Sequence, residues 1–189
     1  MGNDVGVLLE SRDSAKGRYS FIARDPFAVI KREGEKNIII DNEGKKEKDG
    51  TFLDTVKEYM KKINVTVDSD IPFCGGAVGN LGYDIIKQYE KIPQTNPDTI
   101  GVPEAQMMFI KDMVVYDHYH QHVEIVVLEE ETEAGENAAK SKIENIEKIL
   151  KQKIEVEDIF GKSGFKKNKE ITTNLTNISN NTILIRIFW

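Results

Sequence analysis

Over the first fifty residues, short apolar runs alternate with polar, glycine-bearing stretches, a rhythm that belongs to strands and turns. Val5 to Glu10 and Arg18 to Ala23 are two such runs, and Pro26 to Lys31 and Asn37 to Asp41 are two more. The next turn carries Asn42, Glu43 and Gly44, so this part of the chain reads as a β-meander. Thr51 then stands three residues before Asp54, the spacing of a capped helix start, and Leu53, Val56, Met60 and Ile63 follow at helical intervals. The pattern predicts one amphipathic helix lying on a sheet. Ala105 to Asp117 and His122 to Leu128 flank HYHQ and predict a β-hairpin. Glu129 to Glu136 reads as an acidic connector, and from about Asn137 the stripe Ala139, Ile143, Ile146 and Leu150 predicts a second helix, supported by the pairs Glu144/Lys148 and Glu147/Lys151. Strands outnumber helices and neighbouring strands lie close in sequence. The expected class is therefore α+β with a mostly antiparallel sheet.

Composition narrows the function classes. The chain has 189 residues, 39% of them hydrophobic, and a formal net charge of −6. That is enough for one core, while the scattered lysines leave no basic surface for nucleic acid. No apolar run is long enough for a membrane helix, and the first residues lack the basic and apolar regions of a signal peptide, so a cytoplasmic protein is expected. The lone Cys74 has no second thiol for a disulfide and reads as a small buried side chain.

Several segments suggest chemistry. GGAVGNLGYD is glycine-rich, but Gly76, Gly79 and Gly82 are spaced G-x-x-G-x-x-G and no Lys-Ser/Thr pair follows. The spacing matches neither phosphate-binding fingerprint, and a bent, closely packed strand is the better reading. His118, His120 and His122 would share a face on one extended strand, yet a reversal at Tyr119 to Gln121 breaks that alternation and leaves them as solvated loop histidines. Glu129, Glu130 and Glu131 read as a solvated charge run. No residue is assigned a catalytic or metal-binding role. Glu10 and Ser11 differ, because a carboxylate and a hydroxyl closing an apolar strand can receive a ligand's ammonium group; on pattern alone, a turn with a surface Glu explains them as well.

A family likeness bears on these same residues. Leu8-Leu9-Glu10-Ser11, then Gly17-Arg-Tyr-Ser-Phe-Ile22 with Asp25-Pro26, then Pro72-Phe73 with Gly75-Gly-Ala-Val-Gly79 and Gly82-Tyr-Asp84, and finally Val114-Val115-Tyr116-Asp117-His118 resemble, in order, the N-terminal domain of anthranilate synthase component I. Ala23 and Asn80 depart from the usual family residues. The resemblance implies a chorismate-using enzyme of tryptophan biosynthesis, a glutamine amidotransferase subunit as partner, and Mg²⁺ in the full-length enzyme. It further implies that Glu10 and Ser11 bind the feedback inhibitor L-tryptophan. Aminodeoxychorismate synthase component I is the alternative within the same scaffold, and a non-enzymatic amino-acid-binding or remnant domain is the alternative outside it. On this reading residues 1–161 form the N-terminal domain with both ends incomplete, 162–189 form an atypical Lys/Asn/Thr-rich tail without expected structure, and the catalytic domain lies outside the chain.

Overall fold

A computed structural model describes residues 5–10, 17–63, 70–93 and 101–152, together with the backbone of Thr172–Ile178 and Thr182–Phe188. The strands are β1 Gly6–Leu9, β2 Tyr19–Arg24, β3 Ala28–Glu33, β4 Lys36–Asp41, β5 Gly44–Lys48, β6 Gly76–Leu81, β7 Ala105–Ile110, β8 Asp112–Asp117, β9 His122–Glu130, β10 Thr172–Ile178 and β11 Thr182–Phe188. The helices are α1 Phe52–Met60 and α2 Glu133–Lys151. Two sheets result, one in the order β1-β2-β8-β9-β11-β10 and one in the order β5-β4-β3-β7-β6. Every neighbouring pair is antiparallel, as the α+β expectation required.

The sheets share one core. Ala23, Met113, Val115, Val126 and Leu128 of the first sheet bury against Ala28, Ile30, Ile39 and Phe109 of the second, and Phe52 and Tyr59 of α1 join the same cluster. Each fully buried side chain of this size contributes on the order of 2 kcal/mol by leaving water. A second cluster pairs Ile125 and Val127 with Ala139 and Ile143 of α2, so β9 is covered on both faces, which explains its unbroken apolar run.

Four sequence expectations change. The run Ala105 to Asp117 is not one hairpin arm, because the chain changes sheets at Lys111. β7 pairs with β3 and β6, whereas β8 pairs with β2 and β9. The consecutive buried residues Phe109 and Ile110 mark where the alternation fails. Thr51 does cap α1, accepting the Asp54 N–H at 3.2 Å and donating to the Asp54 carboxylate at 2.6 Å. Its most buried side chains, however, are Phe52, Thr55 and Tyr59, continuing to the expected Ile63; the expected Leu53 and Val56 are partly buried against the same core, and Met60 is exposed. The acidic connector shrinks to residues 131–132. Glu129 and Glu130 belong to β9, and α2 starts at Glu133, because Thr132 accepts the Gly135 N–H at 3.0 Å and Glu133 and Glu136 suit the positive end of the helix. Finally, the C-terminal segment, expected to be without structure, supplies two strands, and its aliphatic, β-prone member β11 pairs with both β9 and β10.

The glycine-rich segment is the strand β6. A Cβ on Gly79 would stand 1.9 Å from the Gln106 carbonyl oxygen, and one on Gly82 would stand 2.7 Å from that of Glu104. Close approach to a neighbouring backbone accounts for those two positions.

Candidate functional site

Antiparallel order brings the end of β1, the start of β2, the end of β8 and the start of β9 to one end of the first sheet. Leu9 pairs with Phe21 and Leu8 with Ile22, and continuing that register sets Glu10 beside Ser20. Glu10 is exposed immediately after β1, next to the exposed Leu8 and Leu9. Ser11, the other inhibitor-site candidate, lies outside the described residues.

The same sheet end holds a polar cluster that spacing along the chain does not foreshadow. Asp117 is 1% exposed, and its Oδ2 accepts Arg18 Nε at 3.0 Å and Arg18 Nη2 at 2.8 Å across 99 positions of sequence. Its Oδ1 accepts the backbone N–H groups of Tyr119 at 2.8 Å and His120 at 3.1 Å. Burial alone would raise this carboxyl, but the guanidinium, His120 and the two turn amides outweigh it and hold Asp117 well below the usual carboxylate range. Ser20, buried in β2, has its Oγ 2.7 Å from His118 Nε2. His122 Nε2 lies 2.9 Å from Glu124 Oε1.

The turn does reverse between Asp117 and His122, with Gln121 at φ 54°. As expected, it removes His118 from its two companions. What it also does is bring one donor atom each of Asp117, His120 and His122 within 4.8 Å of one another. None of the three histidines is simply a solvated loop residue. Nor is Glu129, whose Oε1 is 2.6 Å from Lys142 Nζ, an ammonium that also reaches Asp112 Oδ2 at 2.8 Å and ties α2 to both strands. Cys74 is buried with Sγ 3.6 Å from the Ile71 carbonyl oxygen. A groove between β5 and α1 is lined by Lys46, Lys48, Glu58, Tyr59 and Lys62, whose charges face one another: Lys46 meets Asp41 and Glu43, Lys48 meets Glu58, and Lys62 Nζ lies 4.0 Å over the Tyr59 ring.

The family model for chorismate binding enzymes matches residues 7–176. The chain belongs to that family. It is 38% identical over 124 residues to anthranilate synthase component 1 of Acetivibrio thermocellus, covering 64% of this chain and 25% of that protein. Against aminodeoxychorismate synthase component 1 of Bacillus subtilis (strain 168) it is 29% identical over 121 residues, again 64% of this chain and 25% of the relative. The crystal structure of anthranilate synthase component I from Streptococcus pneumoniae TIGR4 superposes with a TM-score of 0.61 at 25% identity, over 89% of this chain and 36% of that one. The chain thus spans about a quarter of the length of the curated relatives. Its fold is the mostly antiparallel α+β arrangement of component I. Among the described residues, no helix is long and apolar enough to cross a membrane.

The Mg²⁺ expected of the full-length family enzyme prefers carboxylate, carbonyl and water oxygens. The donor cluster found here has two imidazoles and one carboxylate already held by a guanidinium, and the Asp112 and Glu129 carboxylates share Lys142. The described residues do not fit Mg²⁺.

Proposed function

We propose that this chain is the N-terminal, regulatory portion of an anthranilate synthase component I, that Glu10 and Ser11 hold the ammonium and a second polar atom of L-tryptophan, and that the chain alone does not turn over chorismate. The parent protein works in this reading with a glutamine amidotransferase subunit, in the cytoplasm, and its Mg²⁺ and chorismate chemistry is supplied by sequence beyond this chain. The observation that carries it is the placement of Glu10: an exposed carboxylate closing an apolar strand, with Leu8 and Leu9 exposed beside it. Such a junction suits a ligand with a charged end and an apolar body. The higher identity to anthranilate synthase than to aminodeoxychorismate synthase favours the tryptophan branch over the folate branch.

Calorimetry with L-tryptophan, with L-glutamate as control, tests the site. Saturable tryptophan binding that weakens at least about tenfold in Glu10→Gln is expected, the scale of one charge-assisted hydrogen bond. No saturable heat with tryptophan, or an unchanged affinity in Glu10→Gln, refutes the assignment. Anthranilate fluorescence on mixing the chain with chorismate, ammonia and Mg²⁺ would refute the non-catalytic part.

A further inference from the structure

We propose that the turn joining β8 to β9 binds a divalent transition-metal ion of the Zn²⁺, Co²⁺ or Ni²⁺ type, with Asp117, His120 and His122 as its protein ligands. Three features of the cluster converge on this. One donor atom from each residue already lies within 4.8 Å of the others, so small rotations of two imidazoles, not a backbone rearrangement, close the set. The scaffold under it is stiff: Asp117 and His122 are register partners across the β8–β9 ladder, and Asp117 is fixed by two turn amides. The His120 and His122 rings stack with centroids 5.6 Å apart and planes 24° apart, which keeps both imidazoles on one side of the turn.

The electrostatics point the same way. Arg18 Nη2 sits 2.8 Å from Asp117 Oδ2 and 3.0 Å from His120 Nδ1, so a positive group occupies the place where these donors meet. A metal ion entering here exchanges with the guanidinium, and no unpaired anion has to wait for it. Arg18 has an alternative seat, since its guanidinium carbon lies 4.8 Å from the Tyr19 ring centroid and 5.8 Å from that of Tyr119. Outside the ligand set, Glu124 Oε1 faces His122 Nε2 at 2.9 Å, the carboxylate-to-imidazole contact that orients a metal-binding ring. Two imidazoles, one carboxylate and a side open to water favour borderline transition metals over Mg²⁺ or Ca²⁺.

The experiment uses the full chain without an affinity tag, stripped with chelator, titrated with Co²⁺ while visible absorption is recorded, and with Zn²⁺ by calorimetry. One ion per chain is expected, with the Co²⁺ spectrum displaced by Zn²⁺ but not by millimolar Mg²⁺. His120→Ala, on the exposed turn, is expected to weaken binding at least about tenfold, and Glu124→Gln by about tenfold through the ring it orients. Arg18→Gln is expected to tighten binding, because it removes the competing cation; a site elsewhere on the protein would not respond in that direction. Absence of saturable binding overturns the proposal, as does binding indifferent to His120→Ala. Circular dichroism of each variant confirms that the fold is retained, and if Arg18→Gln unfolds, Arg18→Lys, which cannot span both acceptors as a planar fork, gives the same readout.

Discussion

Gly79→Ala tests whether the glycine-rich segment is there for packing. The Cβ of the variant would stand 1.9 Å from the Gln106 carbonyl oxygen, 2.8 Å from its carbonyl carbon and 2.9 Å from Met107 Cα, all of them backbone atoms that no rotamer change can move. An ordinary carbon–oxygen contact is about 3.3 Å, so β6 and β7 must part locally by roughly 1.4 Å. That separation exceeds what a ladder hydrogen bond tolerates, and the bonds on either side of the Gly79–Met107 pair are lost in the middle of the β6–β7 ladder. Gly79 is exposed and β6 is the edge of its sheet, so water takes up the freed groups and the expected loss is the net worth of two ladder bonds, about 2 kcal/mol. For a chain of this size that is a fall of roughly 4–8 °C in Tm. Urea unfolding followed by far-UV circular dichroism measures it, with Gly34→Ala as the comparison. Gly34 has φ +58° but open space around it, so its alanine variant carries only backbone strain, about 1 kcal/mol. If Gly79→Ala unfolds within about 1 kcal/mol of the parent, the close-packing account of GGAVGNLGYD is wrong and the glycines require another explanation.

Two further perturbations probe the second sheet. Asn37 is fully buried, donating to the Gly50 and Thr51 carbonyl oxygens and Thr55 Oγ1 and accepting from Arg32 Nη1, so Asn37→Leu is expected to cost about 3 kcal/mol in urea unfolding, and a loss under about 1 kcal/mol would show that water replaces those partners. For Asp41, burial acts to raise the carboxyl, but hydrogen bonds from Tyr59, Lys46 and the Glu43 amide outweigh it, leaving its pKa below the ordinary value. The folded value lies under the unfolded one, so the stabilisation is present above the unfolded pKa of about 3.9 and disappears as pH falls through the folded value. Urea midpoints recorded between neutral and strongly acidic pH should therefore fall more gently at the acid end in Asp41→Asn than in the parent, and parallel profiles would contradict the coupling.

How much of this was legible in the sequence depended on the range of the interaction. The Thr51–Asp54 cap and the early strands rest on neighbours a few positions apart, and they appear where the pattern predicts them. The sheet change at Lys111 was hidden, because β7 and β8 are both apolar and only their partners distinguish them. The α1 stripe was legible in part: Leu53, Val56 and Ile63 pack on the core as the spacing predicts, but Met60 is exposed, and the deepest positions are Phe52, Thr55 and Tyr59, the last beside Phe109 with ring centroids 5.4 Å apart. Arg18–Asp117 and Ser20–His118 were invisible for want of any local signal, since the pairs are joined only by the β2–β8 register. Asp117 could have been suspected from its position two and three residues before turn groups that need an acceptor, the usual use of an Asp before a reversal. Glu10 and Ser11 stood out only through the family likeness.

Strand parity separates the two ligand readings at this sheet end. Asp117 follows Met113 and Val115 on the face of β8 that turns toward the core, whereas Ser20 and His118 belong to the opposite face, the one that Glu10 joins if the β1–β2 register continues. A tryptophan ammonium on Glu10 and a metal ion on Asp117 would thus approach from opposite sides of one sheet, with Arg18 immediately before the shared strand β2 and Ser20 within it. Glu10→Gln should change tryptophan binding and leave the Co²⁺ spectrum alone, and His120→Ala should do the reverse. Were a single substitution to abolish both, the two sites would have to be coupled through the start of β2, and the reciprocity of linkage would then require tryptophan to change the metal affinity by the same factor that metal changes the affinity for tryptophan.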